Sequence, residues 1–266
     1  MHNVLGHEHA APAVFRAQAR RDIEARYGGT IQFRDAGVVA VRKLADDERG
    51  RSCFEVRDEH GKRYVGRKLV LAVGVRDVMP AAPEGYGALW GYGIFHCLFC
   101  HGFEERGSAS AGVLATGPML GGGGSDSAPL MAPVIARMAA RLAGSVTVYM
   151  DGNEDLGSRI RAQLKSGQKF HVENRRVVRL AKDPDVKAHA PATKINGSFA
   201  SDLGVTLAPQ GHIDAQPPFY TTNVPGVYAA GDCATMMKAV LMATMMGSSV
   251  AAGLAHVLQA EDDVEE

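Results

Sequence analysis

A stretch near the middle of the chain, from His96 to His101, carries two cysteines at CxxC spacing with an imidazole beside each. Two thiols at this spacing can close a small disulfide ring, and a neighbouring histidine can take a proton from a thiol and lower its pKa. The sequence therefore predicts a redox pair, Cys97 and Cys100, that accepts and donates two electrons. His96 or His101 is the expected acid and base of the exchange.

Three other interpretations of this motif stay open. The two cysteines can be buried and inert, since buried cysteine is common in protein cores. Cys97, Cys100 and His101 formally match the haem attachment pattern, but attachment normally follows export, and we recognise no export signal in the sequence. A zinc site is disfavoured because a second pair of ligands at suitable spacing is missing. The redox interpretation is preferred, and no metal site is expected.

The composition argues against several classes of partner. The 266 residues carry 29 basic and 29 acidic side chains, and this balance gives no support for a nucleic-acid partner. The chain has four cysteines with one closely spaced pair, too few for a disulfide scaffold, which favours a reducing, cytoplasmic compartment. The apolar run 229–258 is interrupted by Asp232, Lys238 and several glycines. A buried strand and helix explain that run better than a membrane span.

A second motif, Ala230-Gly231-Asp232, follows a predicted apolar strand and precedes a long helix predicted over 237–258. The glycine allows the backbone to approach a cofactor closely, the carboxylate can bind a ribityl or ribose hydroxyl, and the helix end favours phosphate. The simpler interpretation is a capped turn, which this pattern usually forms. Cys233, directly after the motif, is expected to pack rather than to react.

Between the two motifs the sequence predicts one βαβ unit, with strands over 111–116 and 146–150 and a helix over 129–142. The loop 117–124 is rich in glycine, but Met119 stands where the second glycine of a dinucleotide-binding GxGxxG motif belongs. Acidic residues also stand where a basic pair would hold a 2′-phosphate. The loop therefore indicates a nicotinamide site that has lost its ligand, and NADPH is not expected. Upstream, the sequence predicts an amphipathic helix over 11–27 and strands over 30–33, 37–41, 53–56, 63–65 and 68–73. The turn residues 58–61 lie between the strands at 53–56 and 63–65, so these two strands are expected to form a hairpin.

These motifs, in this order, resemble those of the low-molecular-weight thioredoxin reductase-like flavoproteins, in the fungal branch that includes the gliotoxin-type dithiol oxidases. The matching segments are spread over nearly the whole chain: Met1–His7, Ala72–Arg76, His96–Arg106 and Val224–Gly247. The resemblance implies an α/β fold with a split Rossmann-like (β/β/α) FAD-type domain, residues 1–106 plus 217–266. It also implies an inserted second nucleotide-type domain, residues 107–216, that does not use NADPH.

The resemblance further implies a site and an activity. It places the Cys97–Cys100 pair against the flavin of FAD, and Asp232 against the ribityl chain or phosphate. The other cofactor-binding residues that it implies are Asn3, Gly74, Gly231, Lys238, Ala239 and Val240. In the oxidase branch molecular oxygen reoxidises the flavin, so we expect a flavin-linked thiol–disulfide oxidoreductase that acts on a small molecule in fungal secondary metabolism. Family members are typically homodimers, and a homodimer is expected here.

Departures from the family pattern leave alternatives open. The family opens with a strand, a GxGxxG turn and a helix that hold the ADP half of FAD, and we do not recognise this segment in the sequence. An extra strand pair is not recognised between Val186 and Ala188, and His101 stands where the reductases carry aspartate. One alternative is a flavin-free scaffold that catalyses a cyclisation or isomerisation of a small apolar substrate, with His96 or His101 as acid or base. The other is a non-catalytic remnant that dimerises with, or regulates, a full-length relative.

Overall fold

The computed structural model describes residues 2–81, 83–95, 97–115, 131–163, 170–181, 188–189 and 192–263. Contacts within the chain divide it into two units. The first unit comprises Asn3–Arg76 and Lys194–Glu266, and the second comprises Asp77–Thr193. The contacts thus group 77–106 with the second unit and 194–216 with the first. The functional domain boundaries expected at residues 106 and 216 stay a prediction.

Short strands and helices alternate along the chain. The strands are β1 (Val38–Lys43), β2 (Phe54–Asp58), β3 (Arg63–Gly66), β4 (Leu69–Leu71), β5 (Val75–Val78), β6 (Ile94–Phe95), β7 (Ser108–Leu114), β8 (Ala143–Tyr149), β9 (Phe170–Glu173), β10 (Ala188–His189), β11 (Ala192–Ile195) and β12 (Val227–Ala229). The helices are α1 (Pro12–Tyr27), α2 (Tyr86–Leu89), α3 (Leu98–His101), α4 (Met131–Ala139), α5 (Glu154–Gln163), α6 (Phe199–Asp202) and α7 (Val240–Asp263). Single 3-10 turns cover Phe103–Glu105 and Asp232–Ala234.

In the first unit, β1, β2 and β3 form an antiparallel meander. Because side chains alternate across a strand, Val41 and Phe54 enter the core while Arg42 and Arg57 face solvent. The meander therefore has one apolar face and one strongly charged face.

The turn between β2 and β3 is organised by Asp58. Its carboxylate accepts hydrogen bonds from the backbone N–H groups of His60 and Lys62 and from the hydroxyl of Tyr64. Aspartate commonly closes turns in this way, by bonding to backbone N–H groups two or more residues ahead. The hairpin predicted from the sequence is confirmed.

A parallel pair, β4 and β12, forms the centre of the first unit. Val227 and Ala229 are fully buried, and α7 packs Met246 and Val250 into the same core. Parallel neighbours bring their carboxyl ends to one edge, so the segments that follow β4 and β12 lie side by side. Further along α7, a Cβ at Gly253 would lie 2.6 Å from the Cβ of Phe219, so only glycine allows this close approach.

Most of α7 lies at the surface of the first unit, although the sequence predicts a buried helix there. The helix buries Met246, Val250 and Gly253 but leaves Leu241 and Met245 exposed. By length and composition α7 could cross a membrane, because its most apolar stretch has a mean hydropathy of 1.5. Only 17% of that stretch is buried within the structure. A core helix can meet the same criterion, and the expectation of no membrane partner stays a prediction.

The predicted helix α1 is confirmed, but its predicted apolar face is not buried. Phe15 and Ile23 are half-buried, Ala19 and Tyr27 are exposed, and the helix buries no side chain completely. The contacts that α1 makes are peripheral, such as the edge-on contact of Phe15 with the ring of His7 at 4.9 Å. Periodicity therefore predicted the helix correctly, but not its burial.

The second unit contains a parallel sheet in the order β7-β8-β9, covered by α4 and α5. Val146 and Val148 on β8 are fully buried because β8 is the central strand. Ala132 and Ala136 on α4 and Ile160 on α5 are also fully buried and pack into this core. The predicted βαβ unit is confirmed for its strands and for 131–139 of its helix. The glycine-rich loop 117–124 lies outside the described residues.

Candidate functional site

The redox motif lies in the second unit, at the start of α3. Cys97 caps this helix in an extended conformation, and Cys100 lies within it. The two cysteines form a disulfide, with Cα atoms 5.2 Å apart, and both residues are half-buried. The backbone N–H of Cys100 also donates to the carbonyl oxygen of Cys97 at 3.1 Å. The predicted Cys97–Cys100 disulfide is therefore present, and it is exposed enough for a thiol in solution to approach it.

The two histidines of the motif are less fully defined. His96 lies outside the described residues. His101 is the last residue of α3, and its side chain is outside the described part of the structure. Their roles as acid and base stay predictions.

Gly102, directly after α3, was not singled out in the sequence, but it fixes how the redox helix ends. A Cβ at this position would lie 2.4 Å from the carbonyl oxygen of Leu98 and 3.0 Å from Cδ1 of Leu142. The N–H of Gly102 donates to that same carbonyl at 2.7 Å. Only glycine permits this close approach to Leu98 and Leu142. The contact with Leu142 keeps the turn that carries the disulfide close to the end of α4.

An apolar cavity lies beside α3 within the second unit. The room inside it for water-sized groups is about 40 Å³, and the cavity opens to solvent. Leu98 and Gly102 line it from the redox helix, and Ser108 and Ser110 add hydroxyl groups. The other lining residues are Phe95, Glu105, Ala111, Gly112, Val113, Ile135, Ala139, Leu142 and Ala143. Apolar cavities with a few polar groups are typical of small-molecule sites, and this one shares a wall with the disulfide turn.

The second predicted motif lies in the first unit, at the carboxyl edge of β4 and β12. The thiol of Cys233 can donate to the carbonyl oxygen of Leu71 or to that of Ala230, each at 3.4 Å, and backbone groups of Val73 and Gly74 are close enough to favour its ionised form. The structure therefore brings Gly74 beside the turn that begins at Gly231. Complete burial of Cys233 raises the pKa of its thiol, so this cysteine packs as predicted.

Gly231 has backbone angles of φ 79° and ψ −158°, a conformation that is essentially restricted to glycine. No side chain therefore stands between this backbone and a ligand. Asp232, half-buried, begins the 3-10 turn that follows, and its carboxylate can accept hydrogen bonds from hydroxyl groups. These groups fit the ribityl and phosphate portion of a flavin nucleotide.

The remaining predicted cofactor residues are also in the first unit. Lys238 donates from Nζ to the carbonyl oxygen of Thr235 at 3.0 Å, and this bond holds the loop that leads into α7. Ala239 and Val240 follow it, with Val240 as the first residue of α7. Asn3 lies in an N-terminal turn with a positive φ of 60°, and its cofactor role stays a prediction.

The mixed α/β fold and the CxxC disulfide together define a thiol–disulfide oxidoreductase. Curated relatives agree, although no protein-family model matches the chain. Thioredoxin reductase sirT from Leptosphaeria maculans is 36% identical over 96% of this chain and 80% of that protein. Thioredoxin reductase aclD from Aspergillus oryzae is 38% identical over 97% of this chain and 83% of that protein. Thioredoxin reductase tcpT from Claviceps purpurea is 37% identical over 93% and 78%. The chain therefore belongs to the thioredoxin reductase family.

Solved structures confirm the fold class predicted from the sequence. The crystal structure of HlmI superposes with a TM-score of 0.80 over 100% of this chain and 81% of that one, at 24% identity. The oxidoreductase from Agrobacterium tumefaciens gives a TM-score of 0.77 over 97% and 84%, at 24% identity. The TrxB thioredoxin reductase of Bacillus anthracis gives a TM-score of 0.77, at 17% sequence identity. At these identities the similarity establishes the fold alone.

Proposed function

We propose that the protein oxidises small-molecule dithiols to disulfides through the Cys97–Cys100 pair. The observation that carries the proposal is the disulfide itself, which is half-buried on a short helix rather than enclosed in the core. The neighbouring side chain of Phe99 is 76% exposed, so a substrate can reach this turn. The fungal relatives, named thioredoxin reductases, support thiol–disulfide chemistry at these cysteines.

The exchange takes two steps. A substrate thiolate attacks one sulfur of the Cys97–Cys100 disulfide, so that a mixed disulfide forms and the bond between the two cysteines breaks. The second substrate thiolate then attacks the substrate sulfur of the mixed disulfide, which closes the substrate disulfide and releases the other cysteine. The substrate loses two electrons and two protons, and the cysteine pair gains both. His96 and His101 are the proposed proton carriers.

FAD is the proposed cofactor of this cycle. The residues that would hold its ribityl and phosphate groups are Gly74, Gly231, Asp232 and the segment from Lys238 to Val240, with Asn3 as a further predicted contact. Bound FAD would supply the two-electron acceptor that reoxidises the cysteine pair, with molecular oxygen as the final oxidant.

We further propose that the substrate is a small molecule with an apolar body, as expected in fungal secondary metabolism. The cavity beside α3 supports this class, because its walls are almost entirely apolar and Leu98 belongs to both the cavity and the disulfide turn. A group placed there loses contact with water and contacts the redox helix directly.

The test is dithiol-dependent oxygen consumption by the purified chain supplied with FAD, with dithiothreitol as the substrate. We expect Cys97→Ser and Cys100→Ser each to lower the rate of dithiol oxidation by about a thousandfold or more. Each variant keeps only one cysteine of the pair, and a single cysteine cannot form the disulfide. Cys53→Ser is the matched control, because Cys53 is a free cysteine on the other unit. Wild-type rates in both active-site variants would exclude the proposed function.

A further inference from the structure

The solvent face of the β1–β2–β3 meander holds a cleft that the proposed function does not use. We call it the arginine cleft, and it is lined by Ala40, Val41, Arg42, Glu55, Arg57 and Arg63. The room inside it for water-sized groups is about 310 Å³, and the cleft opens to solvent. All of these residues lie in the first unit, so the cleft is complete within one part of the chain.

Strand register brings the charged side chains of the cleft together. Arg42 on β1 lies directly opposite Glu55 on β2. Two positions along β2, Arg57 lies opposite Ala40 on one side and Arg63 on the other. Residues two apart on a strand share a face, so these side chains form two adjacent rows on the same surface. The small side chain of Ala40 leaves open space beside Arg57.

The acidic member of the cleft is already occupied. The Glu55 carboxylate accepts hydrogen bonds from Nε of Arg42 at 2.9 Å and from Nη2 of Arg42 at 3.1 Å. Nη1 of Arg63 lies 3.4 Å from the same carboxylate. The paired Arg42 guanidinium lowers the pKa of Glu55, so the carboxylate stays ionised at neutral pH. Glu55 therefore neutralises one of the three arginines.

Arg57 is the least compensated group in the cleft. Within the described residues its guanidinium makes no hydrogen bond, and its electrostatic interaction is with Glu55. It stands directly across from Arg63, and like charges in opposite positions of an antiparallel pair destabilise the pairing. Three cations around one carboxylate leave an excess of two positive charges. A dianion between Arg57 and Arg63 would remove that repulsion.

We propose that the arginine cleft binds the phosphate group of a small phosphorylated ligand, held between Arg57 and Arg63. A phosphate monoester carries a charge of about −1.5 to −2 at neutral pH, which matches the excess positive charge. Guanidinium groups present paired donors with the geometry of phosphate oxygens. Arg42, fixed by Glu55, forms one wall of the cleft, and Ala40 leaves room for the ligand.

The test is isothermal titration calorimetry of the full chain at low ionic strength, with inorganic phosphate and ribose 5-phosphate as separate probes. We expect saturable binding that is weakened at least about tenfold by Arg57→Gln, because the substitution removes charge-assisted hydrogen bonds to the phosphate. Arg26→Gln, at the exposed end of α1, is the matched control and should bind as the wild type does. Equal affinity for the two probes would assign the site to the phosphate group alone, and tighter binding of the ester would assign it to a phosphorylated metabolite.

A second variant separates binding from structure. Glu55→Gln keeps a side chain that can accept a hydrogen bond but removes the competing negative charge, so it should bind phosphate several-fold more tightly. A purely structural role for the cluster predicts no such gain. No saturable heat with wild-type protein, or equal losses in Arg57→Gln and Arg26→Gln, would overturn the proposal. Dithiol oxidation should be unchanged in Arg57→Gln, so the outcome is independent of the proposed redox function.

Discussion

The thiol of Cys233 can donate a hydrogen bond to the carbonyl oxygen of Leu71 at 3.4 Å, and this contact joins the carboxyl ends of β12 and β4. Parallel strands place the residues that follow them at one edge of the sheet. Gly74 follows β4 and Gly231 follows β12, and the sulfur of Cys233 lies between the two segments. A completely buried cysteine thus organises the edge at which the flavin nucleotide is proposed to bind.

Replacing Cys233 should change the alkaline stability of the protein. Burial raises the folded-state pKa of this thiol, so the neutral thiol stabilises the fold below the unfolded-state pKa of about 8.5. That contribution is lost as the pH rises through the folded-state pKa. Cys233→Ala should cost about 1–3 kcal/mol at pH 7, and its free energy of unfolding should fall less steeply above pH 8.5 than that of the wild type. Urea denaturation across this range is the measurement, and parallel slopes would contradict the prediction.

Gly226 and Gly247 offer a matched pair of substitutions in the first unit. Gly226 has a φ of +84°, and a Cβ there would lie 2.9 Å from Cε2 of the buried Phe54. Gly226→Ala should therefore destabilise the protein by more than about 1 kcal/mol. Gly247 lies within α7, and a Cβ there would meet nothing within 4 Å apart from the backbone of its own helix and its chain neighbours, so Gly247→Ala should stabilise the protein by about 0.5–1 kcal/mol. Urea midpoints that move in the same direction would contradict this account.

Glu173 at the end of β9 should titrate far below an ordinary glutamate. The Arg175 guanidinium donates to its carboxylate at 2.7 Å, and the backbone N–H of Arg175 donates at 2.9 Å, which lowers the pKa of Glu173 to about 2. The ionised carboxylate therefore stabilises the fold above its unfolded-state pKa, and this contribution is lost as the pH falls through about 2. Carboxyl carbon NMR should show the low pKa in the wild type.

Arg175→Gln tests the cause of that shift. Without the guanidinium, the pKa of Glu173 should rise toward the ordinary value of about 4.3. Arg176→Gln, one residue further along, serves as the control and should leave the low pKa in place. High salt should reduce the shift, because Arg175 is 87% exposed and its charge is readily screened. An unchanged pKa in Arg175→Gln would show that the backbone N–H bonds alone produce it.

Filling the cavity beside α3 should discriminate between substrates of different size. Ala139 is 4% exposed and lines the cavity, so Ala139→Leu would occupy part of its volume. We expect a higher KM for a dithiol that carries an aromatic group, with little change for dithiothreitol, which has no group to place there. The cost of extra volume in a packed region, about 1–3 kcal/mol, is checked separately by thermal denaturation. An equal change in KM for both dithiols would show that the cavity is not part of the substrate site.

Features that depend on local chemistry could be predicted from the sequence. The CxxC spacing predicted the Cys97–Cys100 disulfide, and the polar turn between β2 and β3 predicted their hairpin. Hydrophobic runs separated by a helical segment predicted the parallel strands of the second unit. Each of these signals lies within a short stretch of chain, so long-range packing was not needed to recognise it.

Features that depend on contacts between distant residues could not be predicted. The strand expected over 30–33 is wrong, because the N–H groups of Thr30 and Ile31 donate to the carbonyl of Tyr27 and extend the end of α1. The arginine cleft requires the register of three strands, and composition gave no sign of it. The contact of Gly102 with Leu142 likewise needs the packing of α3 near the end of α4.

The central claim is that Cys97 and Cys100 take an electron pair from a small dithiol, and anaerobic stoichiometry tests it most directly. Cofactor-free oxidised protein is mixed with excess dithiothreitol without oxygen, separated from small molecules, and its thiols are counted under denaturing conditions. The account predicts two new thiols per chain, mapped by mass spectrometry to Cys97 and Cys100, with one equivalent of oxidised dithiothreitol. No new thiols, or thiols mapped to other cysteines, would contradict it.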